Sequence, residues 1–223
     1  MKPSTSKPST TAPGPAPRKV GQFTLMPVQA GGQSVGSPSR GRMRNAVQLP
    51  ENPPLYTIRN PDHSWGSSNA VEQLQVGMAI FREQTGFKRA IMICDMSLHN
   101  GGRFRPHRSH TSGRDVDIRL PLLAGVPEDT LPENPAVVDW DMAWSLIKAL
   151  VATGEVHYLF LARSRLVHLY KAAQRAGESP EDLTVLIQYP GHGRNTLVRH
   201  SAGHTKHMHV RWKCAAGEDL CRD

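Results

Sequence analysis

Eight of the eleven histidines fall in two windows, and each window runs into a segment that alternates polar and apolar residues like a β-strand. The first window holds His99, His107 and His110. The second holds His192, His200, His204, His207 and His209. In His207-Met208-His209-Val210-Arg211-Trp212, successive side chains leave opposite faces of a strand. His207 and His209 therefore project together, while Met208 and Val210 enter a core. Asp115-Val116-Asp117-Ile118-Arg119-Leu120 alternates in the same way, with Asp115 and Asp117 on one face.

Imidazole is the commonest side-chain metal ligand, and a carboxylate completes many zinc sites. His110 ends a polar loop seven residues before Asp117, and Ser112-Gly113 can supply the turn that lets the two converge. Three ligands from two strands, His110, Asp117 and His209, would leave a fourth tetrahedral position for water. An open position marks catalytic zinc, whereas structural sites are closed. The spacing by itself stays open, because paired histidines also occur on ordinary strands. Asp115 reads as a solvated or hydrogen-bonded strand carboxylate. His99, His192 and His200 read as loop histidines in water, and His63, His157 and His168 carry no contextual signal.

The rest of the chain frames these windows. Residues 1–20 are rich in Pro, Ser, Thr and Ala, and too poor in apolar side chains to offset their ordering entropy, so they read as disordered. Residues 21–50 are rich in Gly and Ser and read as an extended arm. The boundary is expected near residue 30, with a basic tail over 1–29 and the domain over 30–223. Asn69 with Glu72 predicts a helix start, Val71, Leu74, Met78 and Phe81 give its apolar face, and Gly86 ends it. Residues 89–95 read as a buried strand and 97–112 as a long loop. Trp140 to Ala152 and Arg165 to Ala176 read as helices, Val156 to Leu161 as a strand, and Leu183 to Gln188 as an edge segment. Interspersed elements with antiparallel pairing predict an α+β domain around a small central sheet.

Charge and cysteine content exclude several classes. The 223 residues carry a formal net charge of +8. Residues 1–50 hold seven basic and no acidic side chains, leaving 20 basic and 19 acidic in the remainder. The high pI is thus a property of the N-terminal segment, and a nucleic-acid partner is not expected. No apolar run approaches the roughly 18 residues of a membrane span. The first residues carry charge but no apolar stretch or cleavage site, so no secretory signal is visible. Cys94 reads as a buried thiol. Cys214 and Cys221 could close a small disulfide loop, and a zinc site from these two alone is disfavoured.

HRSHTSGRDVDI (residues 107–118) followed by HTKHMHVRW (204–212) resembles the penicillin-insensitive murein endopeptidases. These belong to a larger group with the lysostaphin-type and D-Ala-D-Ala metallopeptidases and the hedgehog fold, which shares HxxxxxxD and then HxH. The loop DMSLHNGGRF (95–104), the longer H-x-x-H-M-H form, GGQSVGSPSRGR with the later Leu-Pro at 49–50, and the Cys214/Cys221 spacing extend the resemblance over about residues 30–223. It implies that His110, Asp117 and His209 hold Zn2+. It also implies that His207 acts as base or transition-state stabiliser, that His204 is a further active-site histidine, and that Cys214 and Cys221 pair. His107 matches the first histidine of the H-x-x-H segment and is expected, with Arg103 and Arg108, to bind substrate. Arg103, Arg105 and Arg108 flank that motif, and two readings stay open for them: pairing with peptide carboxylates, or a solvated basic loop.

The implied substrate is the D-alanyl to meso-diaminopimelyl cross-link of peptidoglycan. The implied location is periplasmic or otherwise exported. A metal site hydrolyses such an amide without the serine that β-lactams trap. With no Glu near either motif, histidine does the proton work. Two alternatives share the same residues: a D-Ala-D-Ala carboxypeptidase or other stem-peptide hydrolase, and a zinc-binding wall-recognition module without catalysis.

Overall fold

The computed structural model describes residues 17–223. In chain order the elements are β1 (Arg18–Val20), β2 (Phe23–Leu25), β3 (Gln33–Ser37), β4 (Arg40–Arg44), β5 (Val47–Gln48), β6 (Thr57–Ile58) and β7 (Trp65–Gly66). Then come α1 (Ser68–Thr85), β8 (Met92–Asp95), β9 (Asp115–Arg119), α2 (Trp140–Val151), β10 (Val156–Leu161), α3 (Arg163–Arg175), α4 (Pro180–Leu186), β11 (Val198–His200) and β12 (His207–Trp212). The fold is α+β, as expected. A six-stranded sheet has the order β11-β10-β12-β9-β8-β6. Its four central strands pair antiparallel. The two outermost strands, β11 and β6, join in parallel, so the sheet as a whole is mixed.

The period-two pattern explains how the sheet sits. Val116 and Ile118 of β9, and Met208, Val210 and Trp212 of β12, are fully buried in one core with Leu74, Met78 and Phe81 of α1. Ala143, Ile147 and Leu150 of α2 and Leu166 and Leu169 of α3 complete it. Burying each such side chain contributes roughly 1.5–3 kcal/mol. The helices therefore cover one face. The opposite face presents Asp115, Asp117, His207 and His209, with His209 directly across from Asp117 in the β9–β12 register.

α1 begins two residues earlier than expected: Ser67, not Asn69, is the N-cap, its hydroxyl accepting from the Ala70 N–H. Gly86 ends the helix in the left-handed conformation. Residues 183–188 were expected as an edge segment, yet Pro180–Leu186 is a helix. Ser179 caps it, Pro180 fits its first turn, and Glu181 and Asp182 suit its N-terminal dipole. The sheet edge is instead β11.

The tail boundary also needs correction. Residues 1–16, the front of the expected tail, lie outside the described residues. Residues 18–25, placed within that tail, form the β1–β2 hairpin. Leu25 is buried in the core, and Val20, Phe23 and Val28 pack against it. These few apolar side chains are what residues 1–16 lack. The segment read as an arm is likewise built, as the β3–β4 hairpin and β5.

Cys214 and Cys221 form a disulfide. The loop it closes docks on β3, where Gly36 N–H donates to Leu220 O at 2.8 Å and Ser34 N–H to Glu218 Oε1 at 2.9 Å. Closing so short a loop stabilises by about 2–3 kcal/mol. The Cys214→Ser, Cys221→Ser double variant should lose about that much in urea denaturation. An unchanged midpoint would show that the loop docks without its cross-link.

Candidate metal centre

The first window reaches the sheet through a strained turn. His110 has φ +67°, an uncommon conformation for a non-glycine residue. Several contacts hold it there. Its Nδ1 lies 2.6 Å from Met96 O, its backbone N–H donates to Asp115 Oδ2 at 2.8 Å, and its carbonyl accepts from Ser97 Oγ at 2.6 Å. With Nδ1–H donating to a carbonyl, the other ring nitrogen, Nε2, keeps its lone pair. Gly113, at φ +71°, makes the turn between His110 and Asp117. A Cβ there would stand 2.0 Å from Met43 Sδ of β4 and 3.0 Å from the Gly66 Cα, and the positive φ disfavours a side chain in any case.

Three donor atoms meet. His110 Nε2 is 3.1 Å from His209 Nδ1 and 3.3 Å from Asp117 Oδ1, and His209 Nδ1 is 3.0 Å from the same oxygen. Donors placed tetrahedrally at the usual zinc distances stand about 3.3 Å apart. All three residues are buried. Asp117 Oδ1 is buried without a hydrogen-bond partner, an arrangement that a bound cation would relieve. The donor set, two imidazoles and a carboxylate, suits zinc.

Electrostatics favour positive charge at this point. Burial works against ionising Asp117, but His110 and His209 outweigh it and hold the carboxyl well below its usual range. Asp115 is likewise opposed by burial and held low by His209 and Arg211. Burial would push His209 down, yet Asp115 and Asp117 lift it to about 9. The two carboxylates thus hold a cation here as an imidazolium, and would do the same for a divalent ion.

Asp115 is the hydrogen-bonded strand carboxylate of the two readings its sequence position allows. It is buried, not solvated. Its Oδ1 lies 3.2 Å from His209 Nε2, an electrostatic contact whose angle falls short of a hydrogen bond. It accepts from Arg211 Nε at 2.8 Å, and it also receives the His110 N–H. One carboxylate therefore steadies both histidines from behind. Its place beside Asp117 on the strand was the available signal.

The remaining expected residues ring this triangle. His207 Nε2 is 3.4 Å from Asp117 Oδ2, and burial pushes His207 down to about 4 against the pull of Asp117. His204 packs edge-on to His207 and His209, its Nδ1 is 3.0 Å from Ala202 O, and burial lowers its pKa. His107 stands between two carboxylates, Nε2 at 3.3 Å from Asp95 and Nδ1 at 3.6 Å from Asp117. Asp117 anchors two further sets of ligand atoms, one with His107 and His110 and one with His204 and His209. Asp95 also binds Arg59 and His63, so His63 does reach the margin of the cluster. Neither Asp95 nor Arg59 was singled out from the sequence.

Arg108 lines the cavity over the histidines, about 730 Å³ in volume, while Arg103 lines an adjoining one. His99 packs on Trp65, and His192 and His200 are exposed, away from the centre. Cys94 is half-buried, and burial pushes its thiol up to about 11.

Residues 34–148 match the family described as penicillin-insensitive murein endopeptidase. The chain belongs to this family. A relative of that name from Klebsiella pneumoniae is 30% identical over 215 residues, covering 91% of this chain and 74% of the relative. One from Pectobacterium atrosepticum is 30% identical over 207 residues (88% and 70%), and one from Yersinia enterocolitica 28% over 211 (88% and 72%). The family match includes the first histidine window. The second window, with His204, His207 and His209, lies beyond residue 148 but within a chain that the relatives parallel over most of its length.

Proposed function

We propose that this chain is a zinc-dependent murein endopeptidase that hydrolyses D-alanyl to meso-diaminopimelyl cross-links. The supporting observation is the triangle of donor atoms from His110, Asp117 and His209 around an otherwise unpartnered carboxylate oxygen. These three residues would hold the metal. Zinc in such a site acidifies water toward neutrality and polarises the scissile carbonyl. His207 or His204 accepts the proton from the attacking water and returns it to the leaving amine, while the other donates to the developing oxyanion. His107, steadied by Asp95, lines the substrate side with Arg103 and Arg108. The catalytic domain is assigned to about residues 18–223, the β1–β2 hairpin included, and its place of action is the cell wall, outside the cytoplasm. Among the described residues no helix is long and apolar enough to cross a membrane.

The test is mass spectrometry of products released from purified sacculi. The zinc-loaded protein should release un-cross-linked muropeptides. Chelation with verified metal removal should abolish this, added zinc should restore it, and penicillin should have no effect. Undiminished release by metal-free protein would overturn the metal assignment. Release only of terminal D-alanine from pentapeptides would overturn the endopeptidase assignment in favour of a carboxypeptidase.

A further inference from the structure

A second cavity of about 750 Å³ adjoins the histidine cluster, with Ser39, Pro106, His107 and Arg108 lining both. Four arginines from two separate segments line it: Arg40 at the tip of the β3–β4 hairpin, and Arg103, Arg105 and Arg108 from the loop over 97–112. No acidic side chain is in its wall. Elsewhere the arginines Arg18, Arg59, Arg114, Arg175 and Arg211 each pair with a carboxylate. Among the described residues these four pair with no carboxylate, as is also true of Arg42, Arg44 and Arg199, and what sets the four apart is that they share one cavity wall. The body is otherwise almost charge-balanced, so this concentration of positive charge is local.

The backbone that carries these arginines is held in advance of any ligand. Thr111 N–H donates to Pro38 O at 3.0 Å, Gly41 N–H donates to Thr111 Oγ1 at 2.7 Å, and Gly102 N–H donates to Thr111 O at 2.8 Å. The hairpin approaches so closely that a Cβ on Gly41 would meet Ser112 Cβ at 2.7 Å. Phe104 is buried beneath the loop, its ring 4.7 Å from those of both His63 and His107. Exposed like charges gathered around one concavity repel, and an anion relieves that repulsion. The planar guanidinium fork matches a carboxylate bidentately.

We infer that this cavity is an anion subsite for a free carboxylate of the peptide whose scissile amide lies over the histidine cluster, with Arg40 and Arg105 setting the preference for acidic peptides. The inference deepens the proposed function and rests on it for the identity of the peptide. Arg40 and Arg105 line only the second cavity, so their contribution separates from the chemistry. Because the two cavities share Ser39, Pro106, His107 and Arg108 in their walls, one extended peptide can reach from the first into the second.

The test is fluorescence anisotropy with a labelled stem tetrapeptide that has no cross-link to cleave, as the free acid and as the fully amidated form. Both are titrated into the zinc-loaded full chain. The wild type should bind the acid about tenfold or more tightly than the amide, as charge-assisted hydrogen bonds allow. Arg40→Ala with Arg105→Ala should bring the two forms within about threefold. Lysine at both positions should restore part of the preference, and Arg40→Glu should weaken acid binding further. Equal binding of acid and amide by the wild type would overturn the subsite, as would full preference in the double alanine variant. So would displacement of the acid by an oligophosphate of equal charge at lower concentration, which would mark a phosphate site. Sacculus digestion run beside it separates the two readings. Digestion without carboxylate preference removes only the subsite, whereas preference without digestion removes the hydrolase.

Discussion

His209→Ala should lose both metal and hydrolysis, whereas His207→Ala should keep the metal and lose hydrolysis. His209 supplies one corner of the donor triangle, and its imidazole is 3.0–3.1 Å from the other two donors. Removing a partner that merely orients a ligand costs about 10–100-fold in affinity. Removing the ligand itself should exceed about 100-fold. His207 stands outside the triangle, near the second Asp117 oxygen, with about a quarter of its side chain exposed, and it lines the cavity. Loss of a proton-transfer group there should lower turnover about 10²–10⁴-fold. Metal analysis of the purified variants, with muropeptide release, reads both effects. Full activity in His209→Ala would defeat the ligand set. Loss of metal in His207→Ala would move that residue from proton transfer into coordination.

Asp115→Asn carries the next largest expected effect. The change keeps the side-chain shape but removes the charge that faces His209 Nε2 and pairs with Arg211. Metal affinity should fall about 10–100-fold, as for other carboxylates behind a ligating histidine. Stability should fall by roughly 2–4 kcal/mol, toward the low end for a broken buried pair because Arg211 reaches solvent. The two readouts discriminate. If urea denaturation shows the stability loss while zinc affinity is unchanged, Asp115 acts only as a structural partner of Arg211. Combining Asp115→Asn with Arg211→Met should recover stability without recovering metal affinity.

The contrast between Asp117 and Asp115 shows where the sequence was legible. Both lie on one face of one strand, and both were assigned to that face from alternation alone. What distinguishes them is which atoms face them from elsewhere. Asp117 looks toward His110, His207 and His209, and Asp115 toward His209, the His110 backbone and Arg211. Asp95 makes the same point. It ends a strand whose apolar run was plain, but its contacts with Arg59, His63 and His107 depend on where a long loop folds back.

Period-two alternation is a local property, because successive side chains on an extended backbone must leave opposite faces. It therefore determined from sequence alone which residues of β9 and β12 enter the core and which share the polar face, and the helical spacing did the same for α1. Register, the β3–β4 buttress and the unpaired arginines around the second cavity were decided only by the tertiary structure. These depend on contacts between segments tens to a hundred residues apart. No short stretch of sequence encodes the energy of such contacts, which exists only once the chain has brought the segments together.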